Sequence, residues 1–228
     1  MRFYSVSFFI AFCIGSWAVG QQANQEFCLV RDGVPACSIV VAAHPTPAAR
    51  LAALELQYHV LKITGAELPI RNDGDAVEGA RILVGDSTAM AAMGFNGADF
   101  PPQEYLIAFR PETLILLGRD WRDTEANRAE FGRPMSCGDT LASTRQRIDY
   151  WKAAGLPERS AGDIELPGVY DDQATCYAAY HFIEHFLNVR WYGPSSTGII
   201  IPAQQTLTVS GTDIRRSPAL KFRDALWS

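Results

Sequence analysis

Apolar residues fall along this chain in two rhythms, and each predicts an element. Ser38-Ile-Val-Val-Ala42 is a short, nearly unbroken apolar run, the pattern of a strand covered on both faces. His44-Pro-Thr-Pro47 interrupts it, with Thr46 placed to cap a helix and Pro47 in its first turn. From Ala48 to Thr64, Leu51, Leu54, Tyr58 and Leu61 recur at 3-4-3 spacing, predicting a helix that lies on a core and stops at Gly65. Leu68-Pro-Ile70 reads as a short edge strand, because Pro69 has no N–H to give to a ladder, and Asn72-Asp-Gly-Asp75 reads as a turn. Arg81-Ile-Leu-Val-Gly85 is a central strand, followed by a small helix opening near Ser87. Tyr105–Phe109 and Thr113–Leu117 form a hairpin through Arg110-Pro-Glu112.

The rhythm breaks from Gly118 to Gly168, a stretch rich in charge, Gly and Pro with one helix expected around Leu141 to Ala153. A segment this long without regular structure reads as an insertion. Gln173 to Asn188 then resumes as an amphipathic helix. Ala179, Phe182, Ile183 and Phe186 form its buried stripe, and Tyr177, His181, Glu184 and Asn188 its wetter face. Arg190-Trp-Tyr192 and Thr206–Val209 return to the sheet. This order predicts an α+β fold, a mixed β-sheet with two main helices packed on one face. No internal repeat is visible.

Residues 1–20 alter the picture, because Arg2, the apolar run Phe3–Ile14 and Ala18-Val-Gly20 are the parts of a signal peptide, with cleavage before Gln21. The run is too short to span a membrane, and Phe12 is too bulky before Cys13 for a lipoprotein site. The expectation is a secreted or periplasmic protein. Removing Arg2 from 20 basic and 25 acidic residues leaves 19 against 25, a net charge of −6. That balance argues against nucleic-acid and anionic-membrane partners, which require clustered Lys and Arg. Export also permits disulfides among Cys28, Cys37, Cys137 and Cys176. Residues 21–37 read as a hairpin segment whose turn, Arg31–Pro35, lies between Cys28 and Cys37. That favours pairing those two and leaves Cys137 with Cys176; four free thiols are the alternative.

Candidate chemistry is sparse. His181-Phe-Ile-Glu-His185 has the H-x-x-E-H spacing of a zinc metallopeptidase, with both histidines on one helix face. Such a site needs a further carboxylate ligand downstream, where only Asp213 and Asp224 remain. The same residues also read as a surface His181/Glu184 pair. Asp171-Asp172 and Asp73/Asp75 are acid pairs in turn-like places, where helix capping and turn bonding account for them. Gly85-Asp-Ser87 hints weakly at an anion-binding helix start, and Ser87 as N-cap suffices. His44 and His59 imply no partners. No cofactor is called for.

Four blocks carry a resemblance: Ala53–Gln57 with Ile63–Pro69; Ile82–Asp86; Ala178–Glu184 with Leu187–Tyr192; and Ile201-Pro202 with Ser217–Asp224. In this order they resemble the N-terminal accessory domain of α-glucuronidases and the related domain that precedes the barrel in β-N-acetylhexosaminidases. They look similar, too, to a group of poorly characterised bacterial exported proteins that carry such a domain before a predicted glycosidase-like barrel. The resemblance implies a hexosaminidase domain-2-like fold over residues 38–216, with residues 217–228 starting a truncated barrel. Asn188 departs from the pattern, which usually has Gly there, and so does the insertion at about 118–168. The implied function is a non-catalytic support within a carbohydrate-active protein, whose partners are its own downstream barrel and, for the parent protein, carbohydrate. Catalytic carboxylates would lie in that barrel. Arg223, in Pro218-Ala-Leu-Lys-Phe-Arg223, is similar to a barrel-strand arginine that hydrogen-bonds sugar hydroxyls; an ion-pairing Arg at a domain junction is the plainer reading. Trp191 and Trp227 are candidates to stack on a sugar, with an aromatic core contact the better account of Trp191. The alternatives are a stand-alone module that binds a glycan or a protein, and the zinc peptidase.

Overall fold

The strands that the sequence marks as buried on both faces do become the centre of a sheet. The computed structural model describes residues 24–121, 146–168, 171–193 and 196–218. The signal segment, Cys137, residues 141–145, Arg223, Asp224 and Trp227 lie outside the described residues. In chain order the elements are β1 Gln25–Arg31, β2 Val34–Pro35, β3 Cys37–Val41, α1 Pro47–Thr64, β4 Ile70–Asn72, β5 Ala80–Val84, α2 Thr88–Ala92, β6 Tyr105–Arg110 and β7 Thr113–Gly118. There follow β8 Asp120–Trp121, β9 Arg147–Asp149, α3 Tyr150–Ala153, β10 Asp163–Glu165, β11 Asp172–Gln173, α4 Ala174–His185, β12 Arg190–Trp191, β13 Ile199–Ile200, β14 Leu207–Gly211 and β15 Ile214–Arg216.

The main sheet runs β15-β6-β7-β5-β3-β4. Neighbours from β4 through β3 and β5 to β7 are parallel, while β6 is antiparallel to both β7 and β15. Alternate residues divide between two cores. Ile39, Val41, Ile82, Val84, Ile107, Leu114 and Leu116 face α1 and α4. Val40, Leu83, Leu106, Ile115 and Leu117 face Met90 of α2 and Phe100 on the other side. Two main helices on one face is therefore correct, and short α2 covers the opposite face.

Both ends of α1 form as local chemistry dictates. The Thr46 side chain accepts from Ala49 N–H, Pro47 opens the first turn, and Gly65 closes the helix in the left-handed region at φ 77°. Its burial corrects the expected stripe. The face on the sheet is Ala48, Ala52, Ala53, Leu56, Val60 and Ile63. Alanines let α4 approach closely, so that the Cys176 thiol donates to the Ala48 carbonyl at 3.1 Å. Leu51, Leu54, Tyr58 and Leu61 instead meet Tyr150, Trp151, Leu156 and Ile164 in a separate cluster. Residues 146–168, expected to be part of an irregular insertion, thus form a strap of β9, α3 and β10 over the outer face of α1. Only Tyr150–Ala153 of the expected Leu141–Ala153 helix is helical among the described residues.

Three strand expectations shift. The edge strand next to β3 is Ile70–Asn72, two residues later than read, because Pro69 uses its carbonyl to accept from Ile39 N–H and pairing proceeds from there. Arg190-Trp191 pairs with Ile199-Ile200, not with the main sheet. Leu207–Gly211 pairs with β1 in a second sheet, β14-β1-β2. There Asp32 and Gly33 both take positive φ, 51° and 76°, in the two-residue turn the hairpin needs.

Cys28, Cys37 and Cys176 are free thiols in this structure. Cys28 lies on β1 and Cys37 starts β3, and each donates to a main-chain carbonyl, of Val30 and Leu29 respectively. Burial, and then the neighbouring Cys28, push Cys37 up to about 12, so it stays protonated. The Cys137–Cys176 pairing falls partly outside the described residues. Among those residues no helix is long and apolar enough to cross a membrane.

Candidate functional site

Where the strap crosses α1, the two line an open recess of about 380 Å³, together with Trp191 and Ile199. Glu55 and His59, one turn apart on α1, contribute the polar groups. Tyr58, Tyr150 and Trp191 contribute rings, and Leu51, Ile148, Leu166 and Ile199 the apolar wall. The Tyr150 hydroxyl donates to the Glu55 carboxylate. Burial raises Glu55 above the ordinary range of a glutamate, and the bond from Tyr150 opposes the rise. His59 donates through Nδ1 to the Glu55 carbonyl at 2.8 Å. Burial holds its pKa below that of a free imidazole, and that main-chain bond works against the shift. Trp191 is held edge-on by His59 at 5.4 Å and by Tyr180 at 5.9 Å between ring centroids. Glu55 and Tyr150 were not singled out in the sequence. His59 was read as lacking a partner, although Glu55 four residues before it on a helix was the available signal.

A second cluster sits at the end of β7, where α1 and α4 both begin. Thr46 Oγ1 donates to Asp120 Oδ2 at 3.0 Å, and Thr175 N–H donates to Asp120 Oδ1 at 2.9 Å. Gln173 occupies the N-cap position of α4 without a side-chain bond. Asp120 therefore serves both helix starts, the role the sequence suggested for Asp171 or Asp172. The residue as a whole is half-buried, but its carboxylate lies packed between the helices. Burial pushes it up to about 7 against the pull of the Thr175 and Thr46 bonds. Asp171 accepts from Gly168 N–H at 2.8 Å, and Asp172 lies 3.7 Å from Arg119 Nε. These acids share a narrow cleft with Asp120, but each is bonded within the fold.

The H-x-x-E-H residues fall on the exposed side of α4 as expected. The His181 and His185 rings are 5.5 Å apart, and His181 Nδ1 is 3.0 Å from the Tyr105 hydroxyl. Asp213 is occupied elsewhere, bonding Arg110 at 2.8 Å and Phe109 N–H at 3.1 Å. Among the described residues no group of three metal-ligating side chains converges. Asn188 takes φ 58°, a left-handed conformation that Gly adopts freely and Asn tolerates best among side-chain residues. Its departure from the resemblance is thus one that the backbone conformation tolerates.

An open groove of about 560 Å³ lies beyond the carboxyl ends of β3 and β5. The chain leaves β3 for α1 on one face and β5 for α2 on the other, so the two loops diverge there. His44, Asp73, Asp86 and Ser87 line it. The weak anion hint at Gly85-Asp-Ser87 is not supported. Two carboxylates face the groove, Ser87 caps α2 through Met90 N–H at 3.1 Å, and α2 has only five residues. Asp73 accepts from both the amide and the hydroxyl of Thr88, while Asp75 accepts from Asn72 N–H within its turn. Comparison with known proteins matches no family model to the chain and no curated protein to its sequence.

Proposed function

We propose that this chain is the exported, non-catalytic N-terminal domain of a carbohydrate-active protein similar to α-glucuronidases, with a hexosaminidase domain-2-like arrangement. One observation supports this reading above the rest. The blocks that carry the resemblance pack as one unit: Ala53 and Leu56 of α1, Ile82 and Val84 of β5, and Ala178, Ala179, Phe182 and Ile183 of α4 share a single core. The strap, which the resemblance lacks, forms a satellite cluster beside it. In this arrangement β15 lies at the sheet edge next to β6 and leads directly into Ser217 and Pro218. In this reading the support given to a following barrel is mechanical.

The test is to translate the gene past Ser228 and compare the complete product with one lacking residues 24–216. The barrel portion is expected to melt about 5–10 °C lower without its support, the size of effect that loss of a 2–3 kcal/mol interface gives. An unchanged melting point, or the absence of any downstream barrel, contradicts the reading.

A further inference from the structure

The recess between α1 and the strap holds a carboxylate that, among the described residues, is paired with no lysine or arginine. Glu55 leaves 18% of its side chain exposed, enough to be reached from the opening. Its protein partners are the Tyr150 hydroxyl and, at 3.6 Å, the Nδ1 of His59, a ring whose burial favours the neutral form. A largely buried anion of this kind is satisfied by a cation or takes up a proton. The surrounding surfaces narrow the choice of cation. Rings of Tyr150 and Trp191 offer polarisable walls of the sort that attract ammonium groups, while the Tyr58 ring already carries Lys62 Nζ at 5.6 Å. Leu51, Ile148, Leu166 and Ile199 complete the wall without a polar group to offer. A bare metal ion would find one carboxylate and too few further donors. A sugar would turn its hydroxyls toward leucine and isoleucine and leave them unbonded.

We propose that this recess is a binding site for a small organic cation, an ammonium group bearing apolar substituents, with Glu55 as its counter-charge and Trp191 and Tyr150 as its aromatic walls. The volume of about 380 Å³ falls in the range of small-molecule sites. The strap supplies Ile148, Tyr150 and Leu166, so the site depends on the very segment that departs from the family resemblance. It does not rest on the carbohydrate reading, and either can fail without the other.

The test is calorimetric titration of the whole chain with choline and with 3,3-dimethylbutan-1-ol, its neutral isostere. Choline is expected to bind at least about tenfold more tightly than the alcohol. Glu55→Gln, nearly isosteric, should erase that preference while leaving the thermal transition in place. Ala153→Trp, which fills the recess from its exposed rim, should abolish choline binding and so decides the matter if Glu55→Gln does not fold. Equal affinity for choline and the alcohol, no choline binding by the wild-type chain, or unchanged binding by Ala153→Trp would each overturn the proposal. So would tight binding of glucose that displaces choline.

Discussion

Replacing Gly118 with alanine should destabilise the protein by more than about 3 kcal/mol, the upper end for an added methyl group, because the obstacle is main chain. A Cβ at this position would lie 2.4 Å from the Ala174 Cβ, 2.5 Å from the Ala174 carbonyl carbon and 2.8 Å from Thr175 N. No side chain can swing away to relieve that contact. The start of α4 would have to lift from β7, breaking the Gly118 N–H bond to Thr175 Oγ1 at 3.3 Å and disturbing the bond from Thr175 to Asp120. Gly74→Ala is the control: nothing lies within 4 Å of its added carbon, and the expected change is within about 0.5 kcal/mol. Urea midpoints for the two variants measure the difference. Equal midpoints would mean that α4 does not seat on β7 at this corner.

Asp120 gives the second large effect. Asp120→Ala leaves the Thr46 hydroxyl and the Thr175 amide without their acceptor beside two helix starts. The expected cost is about 3 kcal/mol at pH 5, the sum of two such losses. A pH profile tests the same residue independently. Its folded pKa, pushed up to about 7, lies above the ordinary 3.8, so the folded state holds the proton more tightly than the unfolded state. The contribution is therefore fully present below pH 3.8 and is lost as pH rises through about 7. A gap of about three pH units corresponds to on the order of 4 kcal/mol. Asp120→Asn, which cannot ionise, should flatten this part of the profile. Glu55, His59 and His181 also titrate differently on folding, but they are common to both proteins and drop out of the comparison. Parallel profiles for wild type and Asp120→Asn would show that the carboxylate does not titrate as described.

What the sequence made legible was local. Thr46, Pro47 and Gly65 set the ends of α1 through bonds within a few residues, and the Tyr105–Gly118 hairpin follows from two apolar runs and one turn. The packing face of α1 was hidden because its sheet side is largely alanine, whereas the large residues that draw attention point to the strap. Gly118 to Asp120 read as the opening of an insertion, yet they form the corner that anchors two helices. The cap of α4 comes from 55 residues upstream, a distance at which no sequence pattern signals it. Glu55 and Tyr150 meet only because the strap folds back over α1, so their recess was not legible either. Asn188 shows the converse: a departure in residue type that the backbone explains by itself.

If the chain is the non-catalytic support proposed above, it carries no glycosidase chemistry of its own. The most direct measurement is an assay of the purified chain, beside the complete translation product, on a panel of aryl glycosides that includes an aryl glucuronide. The account predicts hydrolysis by the complete product and none by the chain alone. Turnover by the chain itself, abolished when Asp171 and Asp172 are changed to asparagine, would contradict it.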